Sequence, residues 1–173
     1  MGKPSSAKPV KLFSGFIFKD EENLKKAEEI LIKKFGKADS KSKIMPFDLT
    51  DYYREEFGPG LKRVFISFKE LINPAYLTRI KRITNNIESR LLLSGSRRVN
   101  IDPGYLDLAK VVLASTKDFA HRIYLDKGIF AEITLSFKDS SFVPNQWTYP
   151  DYRKEEYIAI FNRIRDLYRS QIK

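Results

Sequence analysis

The stretch Ser115-Thr-Lys-Asp-Phe-Ala-His-Arg-Ile-Tyr-Leu125 holds the only histidine of the chain, His121, with Lys117, Asp118 and Arg122 within four positions of it. A histidine changes charge near neutral pH, and a neighbouring carboxylate can set its tautomer and make it a general base. Glu132, in the strand expected to pair with this one, is the carboxylate in reach, and Lys117 or Arg122 would stabilise developing charge. A structural histidine on the core side of a strand is the other reading of the same pattern.

Three further groups could do chemistry. Arg79, Arg82, Asn86 and Arg90 fall at i, i+3, i+7 and i+11 and share one helix face, away from the apolar stripe. With Lys81, Arg97 and Arg98 near them and Glu88 the one acid, they suit phosphate, because a guanidinium donates two parallel hydrogen bonds. A solvated helix face has the same pattern. Phe47-Asp-Leu-Thr-Asp-Tyr-Tyr-Arg-Glu-Glu-Phe57 gathers Asp48, Asp51, Glu55 and Glu56 in a chain that is basic elsewhere. Carboxylates beside phosphate-binding arginines are what a magnesium ion needs, so Asp48, Asp51 and Glu132, joined by Asp102, form the candidate metal set. In Arg97-Arg-Val-Asn-Ile-Asp102 a strand would put Arg98, Asn100 and Asp102 on one polar surface. Asp102 closing a turn by bonding the backbone is the plainer alternative. The candidate site is therefore His121, Asp102 and Lys117 for catalysis, Arg79, Arg82, Arg98 and Arg122 for phosphate, and Asp48, Asp51 and Glu132 for metal.

The elements that must position these groups follow from periodicity. Residues 1–9 read as a flexible polar tail, and 10–173 as one globular domain. Lys11–Phe18 reads as a strand. A helix follows, with Asp20 as its cap, Glu21 and Glu22 in its first turn, Lys33 and Lys34 in its last, and Gly36 as its stop. A second strand is expected over 41–49, bent at Pro46, and a third over 61–71 with Val64, Ile66 and Phe68 on one face. Asn73-Pro74 opens the clearest helix, striped by Leu77, Ile80, Ile83, Ile87 and Leu91 and closed by Gly95. A fourth strand at 97–101 ends in an Asp102-Pro-Gly-Tyr105 turn. The order strand, helix, strand, strand, helix, strand is the ferredoxin-like split βαβ order. Residues 106–115 are apolar enough to be buried and fit either helix or strand. A hairpin around Asp126-Lys-Gly128, a second turn at Lys138-Asp-Ser-Ser141, an aromatic loop, and a helix marked by Tyr157, Phe161, Ile164 and Tyr168 complete an α+β domain with a mostly antiparallel sheet.

Composition limits the function classes. The net charge of +10 favours anionic partners, whether small phosphorylated molecules, nucleotides, RNA or DNA; the same charge also serves solubility. The absence of cysteine excludes disulfides and thiolate metal sites and suits a reducing cytoplasm. With one histidine and no cysteine a zinc site is not expected, and no apolar run is long enough for a membrane helix. The phosphate-loop pattern G-x-x-x-x-G-K-[ST] is missing, as are G-x-G-x-x-G and G-x-S-x-G.

Six segments in order, FDLTDYY, GPGLKRVFISF, RRVNIDPGYL, KVVLASTKDFAHRIYL, GIFAEITL and WTYPDYR, resemble the uncharacterised bacterial family called domain of unknown function 4416, from about residue 8 to the C-terminal helix. The resemblance implies a bacterial, cytoplasmic, single-domain protein and supplies no site residues. Thr116-Lys117-Asp118 approaches the guanine-reading pattern but lacks its spacer residue. Three functions remain open: a cytoplasmic enzyme or binding protein for a phosphorylated ligand or nucleotide using magnesium, a basic RNA- or DNA-binding protein, and a non-catalytic assembly protein.

Overall fold

A computed structural model of the chain describes residues 2–48 and 57–172. It is a mixed helix-and-strand protein whose sheet is antiparallel throughout the described residues, with a C-terminal helix. The strands are β1 (Val10–Phe18), β2 (Ala38–Lys41), β3 (Met45–Pro46), β4 (Lys62–Ile72), β5 (Val99–Leu106), β6 (Lys110–Ser115), β7 (Ile123–Asp126), β8 (Ile129–Lys138) and β9 (Ser141–Pro144). The helices are α1 (Glu21–Phe35), α2 (Leu77–Arg90) and α3 (Glu155–Gln171). In space the strands run β2-β4-β1-β5-β6-β8-β7, with β3 also pairing β4 and β9 pairing β8.

Every residue of β1 is buried because both faces of the sheet are covered. Alternation sends Leu12, Phe16 and Phe18 to one face, where they meet Leu24, Ala27 and Leu31 of α1 and Ile80 and Ile87 of α2. Phe13 goes to the other, where Tyr157, Phe161, Ile164 and Tyr168 of α3 close over Phe65, Leu135 and Phe142. The helical stripes expected for α2 and α3 are thus the stripes that pack. Among the described residues, no helix is long and apolar enough to cross a membrane.

The structure corrects several element expectations. The second strand is two short pieces, β2 and β3, both paired to β4. Asp20 caps α1 with its backbone carbonyl, bonded by Leu24 N at 3.3 Å, and not with its side chain. α2 ends at Arg90, before Gly95, while the Asn73 cap forms as expected, Oδ1 accepting from Ala75 N at 2.9 Å. Asp102-Pro-Gly-Tyr105 is not a turn but the middle of β5. Pro103 is tolerated there because it faces Ser14 of β1, while the pairing to β6 begins only at Gly104. Gly104 marks a close backbone approach: a Cβ on it would lie 2.6 Å from Phe13 Cζ and overlap the Val112 carbonyl. Residues 106–115, which fit either helix or strand, are the end of β5, a short turn and β6. The two expected turns are present as tight hairpins, each with positive φ at two successive residues, Lys127 and Gly128 in one, Asp139 and Ser140 in the other.

Candidate functional site

A cleft of about 570 Å³ opens where α2 crosses the ends of β1, β4, β5 and β6, closed on its far side by the 116–122 lip and by residues 149–152. Its inner wall is built on Arg63, the second residue of β4, which is 1% exposed. Nη1 donates to Asp102 Oδ2 at 3.2 Å and Nη2 to the Tyr152 hydroxyl at 3.0 Å, with Asp151 Oδ2 at 3.6 Å. The rings of Phe65, Tyr152 and Phe47 surround the guanidinium at 4.9, 5.3 and 5.6 Å. Gly15 makes this packing feasible, since a Cβ there would come within 3.3 Å of Arg63 Cζ and 2.9 Å of the Phe65 ring.

α2 contributes two buried side chains to the same wall. Lys81 Nζ donates to the Ile101 carbonyl at 3.0 Å and lies 3.8 Å from Asp102 Oδ1. Glu88 accepts from Ile101 N at 2.7 Å and from Arg97 Nη1 at 3.2 Å, and Arg97 also donates to Asn100 Oδ1 at 2.8 Å. Asn100 Nδ2 donates to Asp102 Oδ2 at 3.0 Å and completes the chain of contacts.

These surroundings push the carboxyl groups apart. Burial raises the Glu88 carboxyl above its ordinary range despite Lys81, the Ile101 amide and Arg97. Burial likewise raises Asp151, with Arg63 opposing and Asp102 adding to the rise. At Asp102 burial is outweighed by Lys81, Arg63 and the Asn100 amide, and its carboxyl is held low. Burial disfavours the charge of Arg63, yet Tyr152, Asp151 and Asp102 together hold it firmly protonated.

The outer wall is built on Arg122, whose side chain is 1% exposed. Nε donates to Glu132 Oε2 at 2.7 Å, Nη1 to Ser115 Oγ at 2.8 Å and the Lys117 carbonyl at 2.9 Å, and Nη2 to the Tyr149 hydroxyl at 2.6 Å. Its Cζ lies 4.7 Å from the centre of the Phe119 ring. Glu132 Oε1 accepts from Thr134 Oγ1 at 3.1 Å, and Oε2 lies 3.3 Å from His121 Nε2. His121 is stacked between Phe119, centroids 5.9 Å apart, and Trp147 at 5.6 Å.

Of the residues singled out from sequence, Asp102, Lys117, Arg122 and Glu132 line this cleft. His121 contacts Glu132 from behind, and the His–carboxylate pair exists, but Arg122 holds the shorter bond to that carboxylate. Arg122 spends its donors on the protein, so it frames the lip instead of presenting a free fork to phosphate. Arg79 and Arg82 stand exposed on the solvent face of α2, outside the cleft, and Arg98 is half-buried and does not line it. The magnesium set does not assemble among the described residues. Asp48 is 72% exposed with Lys154 Nζ at 3.4 Å, Glu132 is committed to Arg122 and Thr134, and Asp51, Glu55 and Glu56 lie outside the described residues. No three His, Asp or Glu side chains among those described converge as metal ligands.

Sequence reasoning missed Arg63, Glu88, Asp151 and Tyr152 as site residues. A signal for Arg63 was present: in Leu61-Lys-Arg-Val-Phe-Ile-Ser-Phe68 it shares the strand face of Phe65, so one positive charge stands on an apolar face.

The chain belongs to the family described as domain of unknown function (DUF4416), whose model matches residues 8–168. No curated protein and no solved structure matches it.

Proposed function

For a chain of this family we propose that the cleft binds a small anionic ligand, a phosphorylated metabolite or nucleotide. The observation that carries the proposal is the enclosure of five basic side chains, Arg63, Lys81, Arg97, Lys117 and Arg122, in one cleft of about 570 Å³. That volume is in the range of small-molecule sites. Four carboxylates, Glu88, Asp102, Glu132 and Asp151, face the five cations, leaving one net positive charge. Lys81, Arg97 and Lys117 would meet the anion, while Arg63 and Arg122 hold the walls in place. The rings of Phe119 and Tyr149 at the lip suit a ligand with a planar portion. Asp102, whose carboxyl is held low, lies beside Asp151 and Glu88, whose carboxyls burial raises, and carboxyl groups set apart in this way suit acid–base chemistry on what binds. His121, behind Glu132, would then support the lip and not touch the ligand.

A thermal-shift series with nucleotides, sugar phosphates and inorganic phosphate, each with and without magnesium, tests this. A ligand at one hundred times its Kd adds about 2.7 kcal/mol of stability, and Lys81→Met removes the shift. If no anionic small molecule raises the melting temperature at millimolar concentration, the proposal fails. The exposed Arg79, Arg82 and Arg90 face favours a second reading, RNA binding outside the cleft. It requires binding that weakens steeply with salt and is insensitive to Lys81→Met.

A further inference from the structure

We infer that the hydroxyls of Tyr149 and Tyr152 are the donors by which the cleft selects its ligand, and that this ligand is an organic phosphate with a second oxygen acceptor remote from its phosphoryl group. The inference rests on the anion-binding reading of the cleft and names its specificity residues. Both tyrosines line the cleft. The Tyr152 hydroxyl accepts from Arg63 Nη2 at 3.0 Å, and the Tyr149 hydroxyl accepts from Arg122 Nη2 at 2.6 Å. A guanidinium can only donate, so in each pair the tyrosine oxygen is the acceptor and its own proton must go elsewhere. Neither proton has an acceptor among the described residues. Tyr152 is 2% exposed, and a buried donor left unmet costs more than an ordinary hydrogen bond contributes. An acceptor brought by the ligand removes that cost. The guanidinium behind each phenol polarises it and makes its O–H a stronger donor.

The two hydroxyls are set in place before anything binds. Tyr149 and Tyr152 are the ends of one turn, closed by Tyr152 N donating to the Tyr149 carbonyl at 3.1 Å. Arg153 ties down the segment before it, Nε donating to the Thr148 carbonyl at 2.9 Å and Nη2 to those of Asn145 and Gln146 at 2.8 Å. The Tyr152 ring meets Phe65 edge-on and stacks on Phe161, each with centroids 5.7 Å apart. Donors fixed in this way lose little freedom when a ligand arrives. The arginines behind them bond carboxylates two strands apart, Asp102 on β5 and Glu132 on β8, with β6 between. Two strand spacings are about 10 Å, so the hydroxyls address two points of a ligand and not one phosphoryl group. A phenol donates without adding charge, so it reads where an oxygen stands, whereas the cations of the cleft read only its sign.

Titration calorimetry of the full chain with orthophosphate, ribose 5-phosphate and adenosine monophosphate tests this. At least one of the two organic phosphates is expected to bind about tenfold more tightly than orthophosphate, and Tyr149→Phe and Tyr152→Phe should each weaken it about tenfold. Tyr149→Phe should leave the melting temperature unchanged. Tyr152→Phe also takes an acceptor from Arg63 and should melt lower; if it does not fold, Tyr149→Phe decides alone. Tyr157→Phe is the control: its hydroxyl is buried without a partner but its side chain does not line the cleft, so affinity should hold. An organic phosphate that binds the folded Tyr→Phe variants of the cleft as tightly as the parent overturns the inference and leaves the anion reading standing. So does orthophosphate binding as tightly as either organic phosphate. If none of the three binds at millimolar concentration, the anion reading fails and the inference falls with it.

Discussion

The molecule has two sets of arginines that differ in what surrounds them. Arg79, Arg82 and Arg90 lie along one face of α2 with water around them. Arg63 and Arg122 are sealed in the walls of the cleft, each bonded to carboxylates and to tyrosine hydroxyls and flanked by rings. In solvent, a guanidinium keeps its hydration and any ion pair it forms is worth little. In the cleft walls the charge has been taken out of water, so its partners must be present and well placed, and removing one strands the others. The exposed set can change partners freely, whereas the enclosed set fixes the shape of a site.

The sharpest contrast is expected in stability. Arg63→Ala leaves Asp102 and Asp151 without their shared guanidinium and should cost about 4 kcal/mol in urea unfolding. A loss below about 1 kcal/mol would place Arg63 with the exposed set. Arg122→Ala strands Glu132, which is 2% exposed, and should cost about 3 kcal/mol. It should also release the 116–122 lip, seen as faster proteolytic cleavage there. Arg79→Ala and Arg82→Ala should each stay within about 0.5 kcal/mol of the parent. A larger loss at either would mean that the α2 face packs against something.

Titration separates the enclosed network further, and here the sign differs among its members. Glu88 and Asp151 have raised folded-state pKa values, so the folded state takes up protons before the unfolded chain does. On acidification from neutrality they make stability rise as the pH enters their raised range. Asp102 is depressed, so its contribution is present above the ordinary aspartate range and is lost as pH falls through its lower folded value. Chemical unfolding measured across the acid range should thus show a maximum, and Asp102→Asn should remove the fall on its acid side. At the other end burial pushes the Tyr157 phenol up to about 12. The unfolded chain ionises first, so stability should decline as pH rises from about 10 toward 12, and Tyr157→Phe should flatten that decline.

The same contrast shows what the sequence could carry. Helical period identified the stripes of α2 and α3 and the exposed arginine face, because a face is a local property of spacing. It could not say which cation would be enclosed, since Arg63 gains its partners from β5 and from residues 151–152, far along the chain. Asp102-Pro-Gly-Tyr105 has turn chemistry, and its place inside β5 is decided by β1 beside it and Phe13 against Gly104. The grouping of Asp102, Lys117, Arg122 and Glu132 was legible because β5, β6 and β8 lie side by side and strand ends gather polar residues. Asp48 had no such frame, and its contact is a lysine at the start of α3.

Trp147 is the single tryptophan of the chain, and its indole rests on His121, whose other face meets Phe119 on the lip. The protein therefore carries one intrinsic fluorophore, placed two rings away from the guanidinium that frames the cleft. Its emission can follow ligand entry or lip opening in real time, with no label and no competing indole. Stopped-flow mixing would turn a static stack of rings into a clock for the site.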